Sequence, residues 1–267
     1  GWLTWQWDSP IRTLVWQEDW WTSILENRFD LTWAEFASVS DPWITQGLAI
    51  FGILLILGGL LTWFVSFKCC PWLRWLLLPL TILLVIDSIA RWVNSDYDFG
   101  MAIEHALQMF SPVALFLATA PKPNLKRWSI LVSIAAACTF VGHGFYAAGI
   151  LPVPLSYQTM TMGILGVSQG TALLLLSIAG WLDIIFAIGI FFRPTRLISL
   201  FYLVGWGAAT AAARVVAHFD LEATTWALNP WAFETLVRTS HWMLPLLLLL
   251  YFWYRITPED GGDSFTS

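Results

Sequence analysis

Lysine is nearly absent from this chain: Lys68, Lys122 and Lys126 are its only lysines, and each stands between apolar runs rather than within one. That placement excludes the Schiff-base lysine on which a retinal protein depends. Cysteine is equally scarce, with Cys69 and Cys70 adjacent and Cys138 alone, and no spacing of a zinc site or a Cys-x-x-Cys pair occurs. A dithiol active site is therefore not expected. Charged residues make up only 12% of the chain, and its net charge of -5 comes without the clustered Lys and Arg that bind phosphate, so nucleic acid is not an expected partner. The sequence has no Gly-rich phosphate loop, no His-Glu-x-x-His and no Gly-x-Ser-x-Gly. Its first 46 residues lack a basic start followed by an apolar core and do not read as a cleavable signal. No Gly/Ser linker, charge run or internal repeat divides the chain.

What is abundant is apolar surface. Of 267 residues 58% are hydrophobic, 19 are Trp, and several apolar runs reach the length of about 20 residues that crosses the hydrocarbon core of a bilayer. The fold class is all-α, a polytopic transmembrane bundle with the lipid bilayer as its solvent. Hydropathy places seven spans at about 47–67, 73–93, 100–120, 127–150, 169–192, 197–219 and 231–254. Residues 1–46 form a Trp-rich interfacial segment, 47–255 the bundle and 256–267 a short acidic tail. Within the first segment, Pro10 opens an amphipathic helix with Ile11, Leu14, Val15, Trp21, Ile24 and Leu25 on one stripe, and Trp16, Trp20 and Trp21 belong at headgroup depth. Thr32 and Glu35 have capping-box spacing for a second short helix, and Asp41-Pro42 reads as the start of the first span. The stretch 157–168 is less apolar and either lies along the interface or extends the fifth span.

Charge fixes an orientation. The loops after spans one, three and five carry Lys68, Arg74, Lys122, Lys126, Arg127, Arg193 and Arg196 with no acidic residue, and Arg255 follows span seven on the same side. The opposite loops carry Asp96, Asp98, Asp220 and Glu222 with no basic one, and the amino-terminal segment is acidic, from Asp8 to Asp41. The positive-inside rule then puts the amino terminus outside and the carboxyl terminus in the cytoplasm of a plasma or cytoplasmic membrane. In that frame Asp87, Arg91, Glu104, His105, His143, Arg214, His218, Glu234, Arg238 and His241 all fall in the outer half, and Asp183 alone lies near the midplane.

Ionisable groups at membrane depth face the protein interior or a cavity and mark a site. Asp87 with Arg91, and Arg214 with His218, also have the i,i+4 spacing of a local contact, and His218 at a helix end suits an interfacial position. His105, His143 and His241 are expected to converge, His143 between two glycines that admit a neighbouring helix or a flat cofactor, and His241 four residues before Pro245, whose ring frees a carbonyl and bends the helix. Asp183 requires a donor from a neighbouring helix, since an unpaired carboxylate in low dielectric is costly.

Gly142-His143-Gly144, Tyr146-Ala147 with Gly149, Ala179-Gly180-Trp181-Leu182-Asp183 and the Arg193-Pro194 turn together resemble the pattern of DoxX-like membrane proteins, in which a helix-borne His-Gly precedes a later helix with a buried acid. The resemblance covers spans four to six. It implies a membrane subunit of quinone-linked sulfur oxidation, and the related horizontally transferred transmembrane family includes carboxylases. The chain departs from it in having seven spans rather than four and no functional cysteine pair.

Two classes of function follow. In the first, a redox or metal-dependent membrane protein binds a metal ion, haem iron or quinone. His105, His143 and His241 are its ligands, Glu104 or Asp87 tunes the site, Glu104 itself being a further candidate metal ligand, and Arg214 or Arg238 holds an anionic group. In the second, a non-catalytic subunit docks through its Trp-rich flank to other membrane-protein subunits. The orientation is tested by single cysteines: one at Asn124 should be shielded from an impermeant thiol reagent in intact cells and one at Thr224 labelled, whereas labelling at Asn124 from outside reverses every depth assignment.

Overall fold

The computed structural model describes residues 1–7, 9–65, 71–219 and 228–256, so Asp8, Lys68, Cys69, Cys70, Asp220, Glu222, Thr224 and the tail from 257 lie outside the described residues. Every regular element among them is helical. Two short helices, α1 (Trp2–Gln6) and α2 (Ile11–Val15), lead into α3 (Glu18–Phe29) and the long α4 (Trp33–Val65). A 3-10 turn (Pro71–Leu76) runs into α5 (Leu77–Asn94), followed by the pair α6 (Phe99–Glu104) and α7 (Ala106–Ala118), then α8 (Leu125–Ala147) and the short α9 (Leu155–Leu165). Next come α10 (Gln169–Gly189), α11 (Arg196–Ala217) and the pair α12 (Leu228–Val237) and α13 (Ser240–Ile256). Among the described residues seven stretches are long and apolar enough to cross a membrane, so the chain is an integral membrane protein with an all-α polytopic bundle.

The centre of the bundle is α8, which packs on α6, α7, α10 and α13. Over half of its span, 56%, is buried inside the protein, against 22–28% for the other six. Lipid is as apolar as a leucine side chain, so helices in a bilayer associate through close packing, and small residues permit it. A methyl group on Gly180 of α10 would fall on the backbone of Ala147 and Ala148, and one on Gly144 would lie 2.8 Å from the Gly180 carbonyl. Below this crossing Leu107, Val132, Ala136, Phe140, Leu200, Leu203 and Leu248 form the main core, and the Trp128 indole donates to the Ala114 carbonyl at 3.1 Å. A smaller cluster of Val65, Leu77 and Leu80 ties α4 to α5 at the bundle edge.

Five features differ from the sequence reading. The capping box forms, with Thr32 and Glu35 exchanging bonds of 2.8 and 3.3 Å, but the helix it nucleates runs on without a stop to Val65. Asp41-Pro42 is therefore inside α4, where Arg12 grips Asp41 at 2.5 Å and Thr45 at 3.1 Å, one residue before Pro42 and three after it. The amphipathic stretch from Pro10 is two helices, because Gln17 turns extended and Glu18 and Asp19 open a new first turn, where carboxylates suit the helix N-terminus. Span three breaks at His105 (φ -92°, ψ 6°), and the Leu107 amide freed by the break donates to the Thr139 hydroxyl of α8 at 2.9 Å. Span seven breaks after Val237, where Arg238 and Thr239 donate to the carbonyls of Thr235 and Leu236 in a tighter turn. Backbone interruptions at membrane depth are tolerated only inside protein or beside a cavity. The stretch after Pro154 does not extend α10: α9 is a separate helix closed by Gly166 in the left-handed conformation (φ 64°), and it packs across α10 and α11.

Candidate functional site

Both broken helices deliver polar side chains to the same end of the bundle. At the first break Glu104 and His105 are buried, and the Glu104 backbone lies against Gly142 of α8, where a methyl would approach it to 2.9 Å. One Glu104 oxygen is 3.4 Å from His143 Nδ1 and the other 3.6 Å from His105 Nδ1. The Met101 carbonyl is nearer to His105 Nδ1, at 3.3 Å, and fixes that ring to its own helix. His143 Nδ1 is nearest the Tyr157 hydroxyl, at 3.0 Å, so α9 joins the cluster from the opposite side. Gly149 (φ 78°) and the prolines at 152 and 154 fold the chain back between α8 and α9, which is how residues 14 apart in sequence meet.

At the second break Arg238 pairs with Glu234, and the same carboxylate lies 3.7 Å from Arg214 Nε of α11. Arg214 also donates to the Thr210 carbonyl at 3.0 Å. The Arg238 Nε is buried with no hydrogen-bond partner among the described residues. His241, at the start of α13, is buried with its Nε2 3.4 Å from the Gln108 amide nitrogen, and its ring centroid is 5.3 Å from that of His143 at 58°. Pro245 leaves the His241 carbonyl without its helical donor, and Gly207 of α11 packs directly against that oxygen.

These groups form one end of a cavity of about 500 Å³ between α8, α9, α10, α11 and α13. His143, Tyr157, Arg214, Arg238 and His241 line the polar end. Met160, Ile164, Leu165, Leu175, Leu176 and Ala179 line the remainder, so the walls are apolar. A volume of this size is typical of small-molecule sites. Asp183 lines the wall between them, and Tyr202 (2.9 Å) and Trp206 (3.3 Å), one turn apart on α11, donate to its two oxygens. The donor expected for this buried acid is thus present twice.

The structure brings His143 and His241 together on the cavity. His105 stands one layer behind, in contact with Glu104 and away from the lining. The glycines beside His143 admit α6 and α10, respectively, rather than a flat cofactor. Asp87 and Arg91 pair with each other on α5 at 2.9 Å and do not line the cavity. His218 donates its Nδ1–H to the Arg214 carbonyl (2.8 Å) and stacks on Trp231 at 3.5 Å, so its role is to join α11 to α12. Among the described residues no three His, Cys, Asp or Glu side chains are arranged to hold a metal ion. Tyr157 and Gln108 escape the sequence reading. The signal for Tyr157 is its position three residues after Pro154, in the first turn of a helix that must fold back on α8. Comparison of the chain with known protein families, with curated proteins and with solved structures gives no match.

The Asp183 geometry generates a stability prediction. Asp183→Leu strands the Tyr202 and Trp206 donors and should cost about 1–3 kcal/mol for each, whereas Asp183→Asn keeps one acceptor oxygen and should cost clearly less. Thermal unfolding of purified protein reads the difference, and equal losses in the two variants contradict a hydrogen-bonding role.

Proposed function

We propose that the protein is a quinone-linked membrane protein that binds an amphiphile of the quinone class inside its bundle, with the ring head at the polar end of the cavity and the isoprenoid-like body along its apolar walls. The observation that carries this reading is the division of a single cavity into an apolar body and a polar end where donors arrive from opposite sides. Tyr157 and His143 approach from α9 and α8, and Arg238, with its unpartnered Nε, and His241 from the second helix break. A phenol carries a donor proton at neutral pH, and a guanidinium always donates. A flat head with carbonyl oxygens on opposite edges can accept from both sides.

Charge favours a neutral head over a carboxylate. Arg214 and Arg238 already share Glu234, and Glu104 faces His105 and His143, so the cluster holds its own counter-charges. A carbonyl oxygen adds a hydrogen bond there without adding an uncompensated ion to a desolvated site. Of the cofactor classes the sequence suggests, a metal ion is less well supported, because among the described residues no three His, Cys, Asp or Glu side chains are arranged to hold one. The distribution of basic residues among the loops supports an orientation in which the polar end of the cavity faces the non-cytoplasmic side.

A second reading, a subunit of a larger membrane complex, is supported by α4, which stands at the bundle edge with Trp43 74% and Trp63 75% exposed.

The binding test uses decylubiquinone and protein in lipid nanodiscs. Tyr157→Phe and Arg238→Ala should each weaken binding about 5- to 30-fold, the equivalent of one or two hydrogen bonds. Ile178→Ala on the lipid-facing side of α10 should leave it unchanged, and palmitate should compete poorly. Absence of binding to the parent protein, or equal affinity in all three variants, overturns the reading.

A further inference from the structure

The polar end of the cavity is roofed. Thr235 of α12 donates to the Ala211 carbonyl of α11 at 2.9 Å, and the stacked His218 and Trp231 rings close the same seam one turn further on. Over α12 lies α1, where Trp2 stacks on Phe233 with centroids 5.1 Å apart and donates its indole N–H to Asn229 at 2.9 Å. Beneath this roof Arg214 and His241 are only 8% and 5% exposed.

The apolar end is different. Leu165 (56%), Ile164 (38%) and Leu175 (38%) line the cavity and are at the same time exposed on the outer surface of the bundle, and Ala209 of α11 is exposed beside them. The mouth they outline lies between α9, α10 and α11. Its surroundings are apolar as well, with Leu174 and Ile178 on α10 and Phe201 and Val216 on α11 exposed. Both flanking spans belong to the hydrocarbon layer by length and composition. The helix that crosses the mouth, α9, contains no fully buried residue and rests on α10 and α11.

We infer that the cavity exchanges its ligand sideways with the bilayer through an opening framed by Ile164, Leu165, Leu175 and Ala209, and that the substrate is accordingly a lipid-dissolved amphiphile which enters with its head leading and leaves its apolar body in the mouth. The inference rests on the binding role proposed above and adds the source of the ligand and the residues that control its passage. Burial of the apolar body in a mouth continuous with the acyl chains needs no dehydration of that body, since it passes from one apolar medium to another. The head alone exchanges lipid for donors, and Thr161 and Thr210 line its path between mouth and polar end.

The test is the rate of decylubiquinone exchange with protein in nanodiscs, followed by stopped flow at several ratios of quinone to lipid. Leu165→Trp and Ala209→Trp fill the mouth without touching the polar end. Each should slow association and dissociation together by about tenfold or more while the equilibrium constant stays within about threefold, because a barrier on the path changes both rates alike. Trp2→Ala and His218→Ala thin the roof and should leave both rates as they are. The association rate should follow quinone concentration in the lipid rather than in the water. Unchanged rates in both mouth variants, or faster exchange in either roof variant, overturn the lateral path while leaving the binding role standing. Failure of the parent protein to bind decylubiquinone overturns both. If Leu165→Trp does not fold, Ala209→Trp alone carries the comparison, as Ala209 is exposed and replaces no packed side chain.

Discussion

A backbone or side-chain polar group in hydrocarbon must find its partner within the protein, and the interior of this bundle is arranged by that constraint. The contact between Glu104 and His143 is its focus. A carboxylate and an imidazole can lie 3.4 Å apart at this depth only if both are kept from lipid, so α8 has to run through the centre of the bundle. The small residues of α8 make that feasible: Gly142 admits the α6 backbone and Gly144 admits α10. The break at His105, which turns Glu104 inward, survives because Thr139 of the same central helix accepts the orphaned Leu107 amide.

From this arrangement the cavity follows as a geometric consequence. Two spans are each broken near the same end, and the polar side chains at the two breaks meet around His143, while α7 and α13 pack on each other in the core beyond. The short helix α9 spans part of the resulting gap, donating Tyr157 at one end and leaving apolar residues around the opening at the other. Asp183 sits on the wall with both oxygens satisfied by α11, so it adds rigidity without presenting a free charge to a ligand.

The length and composition of the apolar runs make the number and order of spans legible, since about 20 residues at 1.5 Å each match the hydrocarbon thickness and little else in a soluble fold demands such runs. The need of Asp183 for a donor is legible for the same reason, although the identities of Tyr202 and Trp206 depend on how α10 and α11 pair. The helix breaks are not legible. The residue that stabilises the first break, Thr139, is 32 positions from the amide it accepts, and hydropathy averages over a single interrupted turn. Pro42 misleads in the opposite sense: it reads as a helix start, yet the capping box ten residues earlier and the Arg12 clamp hold the helix through it. His143 and His241 are legible as a pair at one depth, and His105 joins them in depth but not in the lining, because a rotation of about 100° per residue decides which face of a helix a side chain occupies.

The central claim, that the polar end of this cavity holds the head of a lipid-dissolved amphiphile, is tested most directly by an experimental structure of the protein in a lipid nanodisc with decylubiquinone. The account predicts ring density in the cavity, with one oxygen within hydrogen-bonding distance of Tyr157 or His143 and the other facing Arg238 or His241, and the alkyl tail leaving between Leu165 and Ala209. A cavity closed by inward collapse of α9, or a quinone bound only on the outer surface of the bundle, contradicts it.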